Sequence, residues 1–207
     1  SKKKRVIKEF FSSNSLKKHN LFHKFDVVVH SHLFEHIYEP KNFLKAVHKS
    51  LKTKGKHIFS VPNMDMMIKN NISSSMNFEH PYFLNKNIIK DLLSETGFKI
   101  IEKKYFKNSH SIFYKTIKLQ EKNNLKKKNF YKKNLMLFKN LNKNWKRDVE
   151  SLNKSLNKKK NNYLFGAHIF SQNLIQYGLK INNISGILDN DTDKQNEYLY
   201  GTKIKVF

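Results

Sequence analysis

Glu79 and His80 are the adjacent pair in this sequence best suited to proton transfer. Imidazole titrates near neutral pH, and a neighbouring carboxylate can hold the ring in one tautomer. A histidine held in this way can act as a general base toward a bound substrate. The sequence therefore predicts Glu79 and His80 as catalytic residues. The alternative is a surface turn whose charges are only solvated.

Three further histidines, His30, His32 and His36, lie at or just after a short apolar run. Alternation along a strand places His30 and His32 on one face, whereas His36 falls on a following turn or helix. No carboxylate of suitable spacing completes a ligand set for these three, and the chain has no Cys. The sequence therefore predicts no metal site, and Glu35-His36 is interpreted as part of a helix start.

The charge of the chain is strongly positive, with a formal net charge of +25. Such an excess attracts nucleic acid, anionic lipid or phosphorylated small molecules. Nearly all of it comes from Lys, however, and a dedicated phosphate-binding protein usually recruits Arg. Compositional drift is therefore the favoured interpretation, with no specific nucleic-acid partner. The absence of Cys, of a long apolar run and of a secretory signal pattern predicts a cytoplasmic protein without a membrane partner.

Alternating apolar and turn-forming segments predict an α/β fold. Arg5 to Phe11 is typical of a short strand, and the valine run of Phe25 to His30 predicts a strand buried on both faces. An apolar stripe beginning at Pro40 predicts a helix that Gly55 stops, and His57 to Val61 follows as a strand. This βαβ unit requires parallel strands. Met64 to Asn77 is predicted to be an irregular loop.

The second half of the chain begins with a long amphipathic pattern. Apolar residues recur every three or four positions between about Leu125 and Lys160, which predicts one long helix, with Trp145 packing on its apolar side. A small α/β unit follows from Asn162. We therefore expect three regions: 1–120, a connecting helix at 121–161, and a C-terminal domain at 162–207.

The segment from Phe25 to Asn63 resembles the fourth strand, the following helix and the fifth strand of class I S-adenosylmethionine (SAM)-dependent methyltransferases. The positions that match the family pattern are Phe25, Asp26, Glu35, His36, Pro40, Leu51, Lys52, Gly55, Pro62 and Asn63. Lys54 stands where the family usually has the first of two glycines. Ten matches over about forty residues make this pattern far more specific than a lone glycine motif.

Two further segments are similar to the sugar C-methyltransferases within that family. The stretch from Phe78 to Glu102 has their Glu-His pair before an aromatic residue and a helix that ends in Gly-Phe. Phe78 replaces their usual Tyr, so C- and O-methylation both stay open. The segment from Phe165 to Phe207 is similar to their C-terminal domain at Gly166, Ala167, Asp189, Lys194, Gln195, Tyr198, Gly201, Thr202 and Ile204.

The resemblance implies an incomplete Rossmann-like methyltransferase sheet, followed by the long helix and the small α/β unit. It implies SAM as cofactor and a sugar or nucleotide-sugar as acceptor. His30, Ser31 and His32 are expected to line the methionine side of SAM, and Phe10 and Phe11 the adenine edge. Glu79 and His80 are expected on the acceptor side. Packing is the alternative for the two phenylalanines.

The family's first strand, its glycine-rich loop, its ribose-binding acidic residue and its zinc-binding cysteine cluster have no counterpart in this sequence. We therefore expect a fragment, or the product of a truncated or split gene, with a second chain as a candidate source of the missing N-terminal part. Two other functions stay open: a basic protein that binds nucleic acid or polyphosphate, and a catalytically inactive methyltransferase remnant.

The missing glycine loop generates a prediction about cofactor affinity. The 207 residues alone should bind SAM weakly or not at all, because the backbone that holds the methionine end of the cofactor is absent from the pattern. Calorimetric titration with SAM measures this affinity directly. A low-micromolar dissociation constant would contradict the expectation.

Overall fold

The computed structural model describes residues 6–72, 79–120, 129–156 and 161–207. The chain divides into two compact units. The first, here called the N-terminal unit, comprises Ser1–Met66 and Phe78–Lys128, and the second, the C-terminal unit, comprises Met67–Asn77 and Asn129–Phe207. The predictions for Arg5, Phe78 and Leu125 concern residues outside the described part of the chain.

The mixed α/β fold expected from the sequence is confirmed. In chain order the helices and strands are α1 Ser13–Lys18, β1 Phe25–Ser31, α2 Pro40–Ser50, β2 Leu51–Pro62, α3 Met64–Lys69, α4 Lys86–Glu95, β3 Phe98–Phe106, β4 Ser111–Lys118, α5 Tyr131–Leu156, β5 Tyr163–Phe165, α6 Ile169–Gln176 and β6 Gly186–Leu188. Short 3-10 helices occupy Phe34–His36 and Ile181–Asn183.

The predicted βαβ unit is present as β1, α2 and β2. Strands β1 and β2 pair in parallel, with Val28 opposite His57. Helix α2 starts with Pro40 in its first turn, where the missing N–H costs nothing. It ends at Ser50, earlier than Gly55. Lys54, in the usual glycine position, has a φ of +58°, which a glycine adopts with less strain.

Strands β3 and β4 complete a four-stranded sheet in the order β1-β2-β4-β3. Strand β4 runs antiparallel to both β2 and β3, with Tyr114 opposite Phe59. Asn85 caps helix α4, because its side chain accepts hydrogen bonds from the first-turn amides of that helix. This cap satisfies donors that the helix cannot pair internally.

The two faces of the sheet differ in burial. On one face, Phe59 and Tyr114 pack with α2 and α4 in a core of buried side chains. On the other face, Val27 is 43% exposed and Val29 is 67% exposed. The prediction of a strand buried on both faces is therefore wrong for β1. The valine run therefore indicates burial of only one face of the strand. No described element covers the face that carries Val27 and Val29.

The first described residues form no strand, so the prediction of a strand ending at Phe11 is wrong. Among the described strands, β1 pairs only with β2, and this segment does not pair with the outer edge of β1. Ser12 instead forms a capping box with Ser15 at the start of α1. Such a box satisfies two otherwise unpaired amides at the helix start.

The predicted loop after Asn63 begins as a helix. Residues Met64–Lys69 form α3, and residues 73–77 lie outside the described part of the chain. Asn63 accepts a hydrogen bond from the amide of Met66, which supports the helix start. Among the described helices, none is both long enough and apolar enough to cross a membrane.

The C-terminal unit combines the long helix with a small parallel sheet. Trp145 on α5 is buried and donates to the Asn71 carbonyl, 2.8 Å away, which confirms its packing role. Asn153 on the same helix donates to the Gly178 carbonyl. Strands β5 and β6 pair in parallel, around a core of Ile187, Leu199, Ile204 and Val206.

Candidate active site

The carboxyl ends of the two parallel strands meet at one edge of the sheet. The Ser31 hydroxyl at the end of β1 lies 2.6 Å from the Ser60 hydroxyl of β2. The next amide, that of His32, donates to the Ser60 carbonyl at 3.0 Å. Ligands of α/β sheets bind beyond the carboxyl ends of such strands. Two of the predicted cofactor residues, Ser31 and His32, therefore lie at the edge where a cofactor is expected.

His32 occupies a strained position at this edge. Its φ is +46°, a conformation that costs free energy in a residue other than glycine. Its Nδ1 lies 3.3 Å from Glu35 Oε1, and its Nε2 lies 3.2 Å from the Ser111 hydroxyl. The ring therefore bridges the turn after β1 and the start of β4.

His80 joins a cluster of polar groups from the turn after β1. Donor atoms of Glu35, His36 and His80 all lie within 4.8 Å of one another. Burial is the largest cause that lowers the pKa of His80, followed by the charge of His36, while Glu35 and Glu79 act in the opposite direction. A neutral imidazole with an available lone pair is the form that such an environment favours.

Glu79 lies beside His80 at the surface, and its charge acts on the His80 ring. The residue is exposed, and its backbone carbonyl lies 3.0 Å from His36 Nδ1. The carboxylate grouped with the His80 ring is that of Glu35. The structure therefore brings His80 together with a carboxylate supplied by a residue 45 positions earlier.

His30 points into the packed face of the sheet, opposite to Ser31. Its Nε2 lies 2.8 Å from His57 Nε2, and its ring stacks on Phe59 with centroids 5.3 Å apart. Burial lowers the pKa of His30 to about 4. Burial and the neighbouring His30 lower the pKa of His57 to about 3. The pair is therefore neutral at physiological pH and belongs to the core.

Phe10 and Phe11 lie in the segment before α1. The Phe10 side chain is 97% exposed, whereas Phe11 packs edge-on against Phe43 with ring centroids 5.7 Å apart. Phe11 also lines a cavity of about 440 Å³, a size that suits small ligands. Apolar walls from Ile37 and Phe43 face a polar rim that includes Glu39.

Sequence reasoning missed three residues of this region: Glu35, His57 and Ser111. The sequence did point to Glu35, because this residue matches the methyltransferase pattern between Phe25 and Asn63. Its burial at 3% exposure is unusual for a carboxylate. Neither His57 nor Ser111 carried a comparable signal, since each acquires its partner only through strand pairing.

A family model described as a methyltransferase domain matches residues 1–103. The N-terminal part of the chain is thus similar to a methyltransferase domain. No curated protein matches the chain.

Several solved methyltransferase structures are similar to the chain. A SAM-dependent methyltransferase from Archaeoglobus fulgidus is 15% identical, with a TM-score of 0.42 over 55% of this chain and 67% of its own. One from Thermotoga maritima is 17% identical, with a TM-score of 0.37 over 47% and 57%. Magnesium protoporphyrin IX methyltransferase from Synechocystis is 17% identical, with a TM-score of 0.36 over 46% and 45%. The matched region thus spans about half to two thirds of each solved chain.

The buried histidine pair generates a prediction about acid stability. The pKa values of His30 and His57 fall from 6.5 to about 4 and about 3 on folding, so the unfolded chain binds protons more readily below pH 6.5. The stabilisation from burying these neutral rings is complete above that pH and is lost as the pH falls. Each ring contributes a slope of up to about 1.4 kcal/mol per pH unit.

Urea unfolding between pH 7 and pH 4.5 measures this loss. The variant His57→Phe keeps an aromatic ring in the stack but removes one titrating group, so its unfolding free energy should depend less steeply on pH. An equal slope in the variant and the natural chain would contradict the assignment.

Proposed function

We propose that the chain is part of an enzyme that transfers a methyl group from SAM to a sugar, most simply one carried on a nucleotide. The observation that carries the proposal is the convergence of His32, Glu35 and His80 at the carboxyl edge of a parallel strand pair in a methyltransferase domain. Polar groups that converge in this location are typical of a ligand site in an α/β sheet.

The cofactor side of the proposed site is formed by the ends of β1 and the segment before α1. SAM supplies an electrophilic methyl group on a sulfonium when it is bound. Ser31 and His32 are exposed at the strand end and are assigned to the methionine side. Phe11 borders the cavity near α2 and is assigned, with Phe10, to the adenine edge. Flat apolar side chains of this kind suit a purine ring.

The acceptor side of the proposed site contains His80. Its ring is half-buried, and it lies beside the Glu35 carboxylate. A ring in this environment can hold and activate a hydroxyl group of the acceptor, while Glu79 orients the segment through its backbone contact with His36. The high positive charge of the chain favours an acceptor with phosphate groups.

The proposal includes a further polypeptide segment next to β1. Among the described strands, β1 pairs only with β2, so its outer edge can accept another strand. A segment that pairs there and provides a glycine-rich loop, from a longer form of this chain or from a second chain, would complete the cofactor site.

The test of the function is methyl transfer. The natural full-length protein that carries this sequence should transfer labelled methyl groups from SAM to one or more members of a nucleotide-sugar panel. If the protein methylates a free sugar or a nucleic acid but none of these nucleotide-sugars, the proposed acceptor class is wrong. Absence of any transfer, with SAM bound, would favour an inactive remnant.

A substitution at His80 tests the acceptor side. In the full-length protein, His80→Ala should lower turnover by roughly 10²- to 10⁴-fold, the usual contribution of a positioned proton-transfer group. The affinity for SAM should barely change, because His80 is assigned to the far side of the methyl group. Steady-state kinetics and calorimetric titration of SAM separate the two effects.

Two further variants serve as controls for this assignment. Glu79→Gln should lower turnover less than His80→Ala, since the contact with His36 uses the backbone carbonyl. His32→Ala should weaken SAM binding, because His32 is assigned to the cofactor side. Near-full turnover in His80→Ala would show that the Glu79-His80 turn has no part in the reaction.

A further inference from the structure

The cluster formed by Glu35, His36 and His80 has the composition of a metal site. One carboxylate and two imidazoles present donor atoms within 4.8 Å of one another. The sequence predicts no metal site, because proximity along the chain groups His36 with His30 and His32. The fold instead combines His36 with its neighbour Glu35 and with His80 from the turn before α4.

Glu35 provides the most direct sign that the cluster binds something. The residue is 3% exposed. Its Oε1 lies 3.3 Å from His32 Nδ1, while its buried Oε2 has no hydrogen-bond partner among the described residues. A buried carboxylate oxygen without a partner costs substantial free energy unless a cation or a donor compensates it. A bound cation at Oε2 provides this compensation.

His36 is held in the tautomer that a metal requires. Its Nδ1 lies 3.0 Å from the Glu79 carbonyl oxygen. Because a carbonyl oxygen only accepts, Nδ1 must carry the proton, and the lone pair lies on Nε2. Metal-binding histidines usually donate their second ring N–H to a carbonyl or a carboxylate in this way.

His80 provides the third side chain of the cluster, from the turn before α4. Its ring lies edge-on to the His36 ring, with centroids 4.9 Å apart. Its Nδ1 is buried and has no hydrogen-bond partner in the part of the chain that the structure describes. The cluster thus contains an unpaired carboxylate oxygen of Glu35 and an unpaired ring nitrogen of His80. Beside them lies His36, whose Nε2 carries a lone pair.

We infer that Glu35, His36 and His80 bind one divalent transition-metal ion, of which zinc is the reference case. Two imidazoles and one carboxylate form a known three-ligand zinc set with an open position. Magnesium prefers an all-oxygen environment and suits this set less well. Bonds of about 2.0–2.2 Å require the donor atoms to lie closer together than 4.8 Å, so the side chains must move toward the bound ion.

The role of the ion rests on the proposed function. A metal with an open position at the acceptor side can bind an oxygen atom of the sugar or of its diphosphate and hold it near the methyl group. His80 then contributes to the reaction as a ligand of the metal, which replaces the base role that the sequence predicts. Metal binding itself does not depend on the reaction and can be measured without SAM.

The first experiment measures metal binding to the 207-residue chain after removal of metals with EDTA. Titration with Co²⁺ should give visible absorption bands of a four- or five-coordinate ion, which saturate at one ion per chain and disappear when Zn²⁺ is added. Glu35→Gln and His80→Ala should each weaken binding more than about 100-fold, since outer partners of metal ligands alone contribute about 10- to 100-fold.

The control variant is His168→Ala, which removes an exposed histidine of the C-terminal unit and should bind Co²⁺ like the natural chain. Circular dichroism checks that each variant folds. If Glu35→Gln does not fold, because the side chain is buried, His80→Ala alone provides the test. Absence of the bands, or equal binding by the natural chain and His80→Ala, would overturn the inference.

Methyl-transfer assays separate this inference from the proposed function. If the metal-free full-length protein is fully active while His80→Ala is inactive, the role of the metal in the reaction is wrong and the proposed function stands. If Co²⁺ binds as expected but no methyl transfer occurs, the metal site stands and the proposed function fails.

Discussion

Strands β1 and β2 run in the same direction, and helix α2 connects them. A parallel pair joined in this way must end at a single edge of the sheet. The chain leaves β1 through a turn that contains His32 and Glu35, and this turn meets the start of β4, where Ser111 lies. The location of Ser31 and of the turn with His32 and Glu35 at this edge follows from that one pairing.

The core beneath this edge contains two histidines in positions that usually hold apolar residues. His30 and His57 contact each other through their Nε2 atoms and stack with Phe59. Because burial keeps both rings neutral at physiological pH, they must adopt complementary tautomers to share one hydrogen bond. The same packing that orders the sheet therefore fixes the protonation state of these rings, while His32 and His80 lie outside the core.

The sequence predicted the fold best where local signals and tertiary contacts agree. Pro40 and Asn85 mark helix starts through backbone chemistry that needs no distant partner. Predictions that depend on pairing or packing with another element were wrong. Examples are the strand ending at Phe11 and the burial of Val29. The candidate site was predicted only in part. His80 was identified from its own neighbours, but its grouping with Glu35 depends on a contact between residues 45 positions apart, which sequence spacing does not encode.

Strand β1 lies at the border of the sheet formed by the described residues, and its Val27 and Val29 side chains are exposed. An open strand edge of this kind can pair with another copy of the same chain. The net charge of +25 opposes such encounters through repulsion between copies. Added salt screens this repulsion without weakening apolar contact. The colloidal stability of the isolated protein should therefore decrease as ionic strength rises, so dilute buffers are the natural choice for its purification and storage.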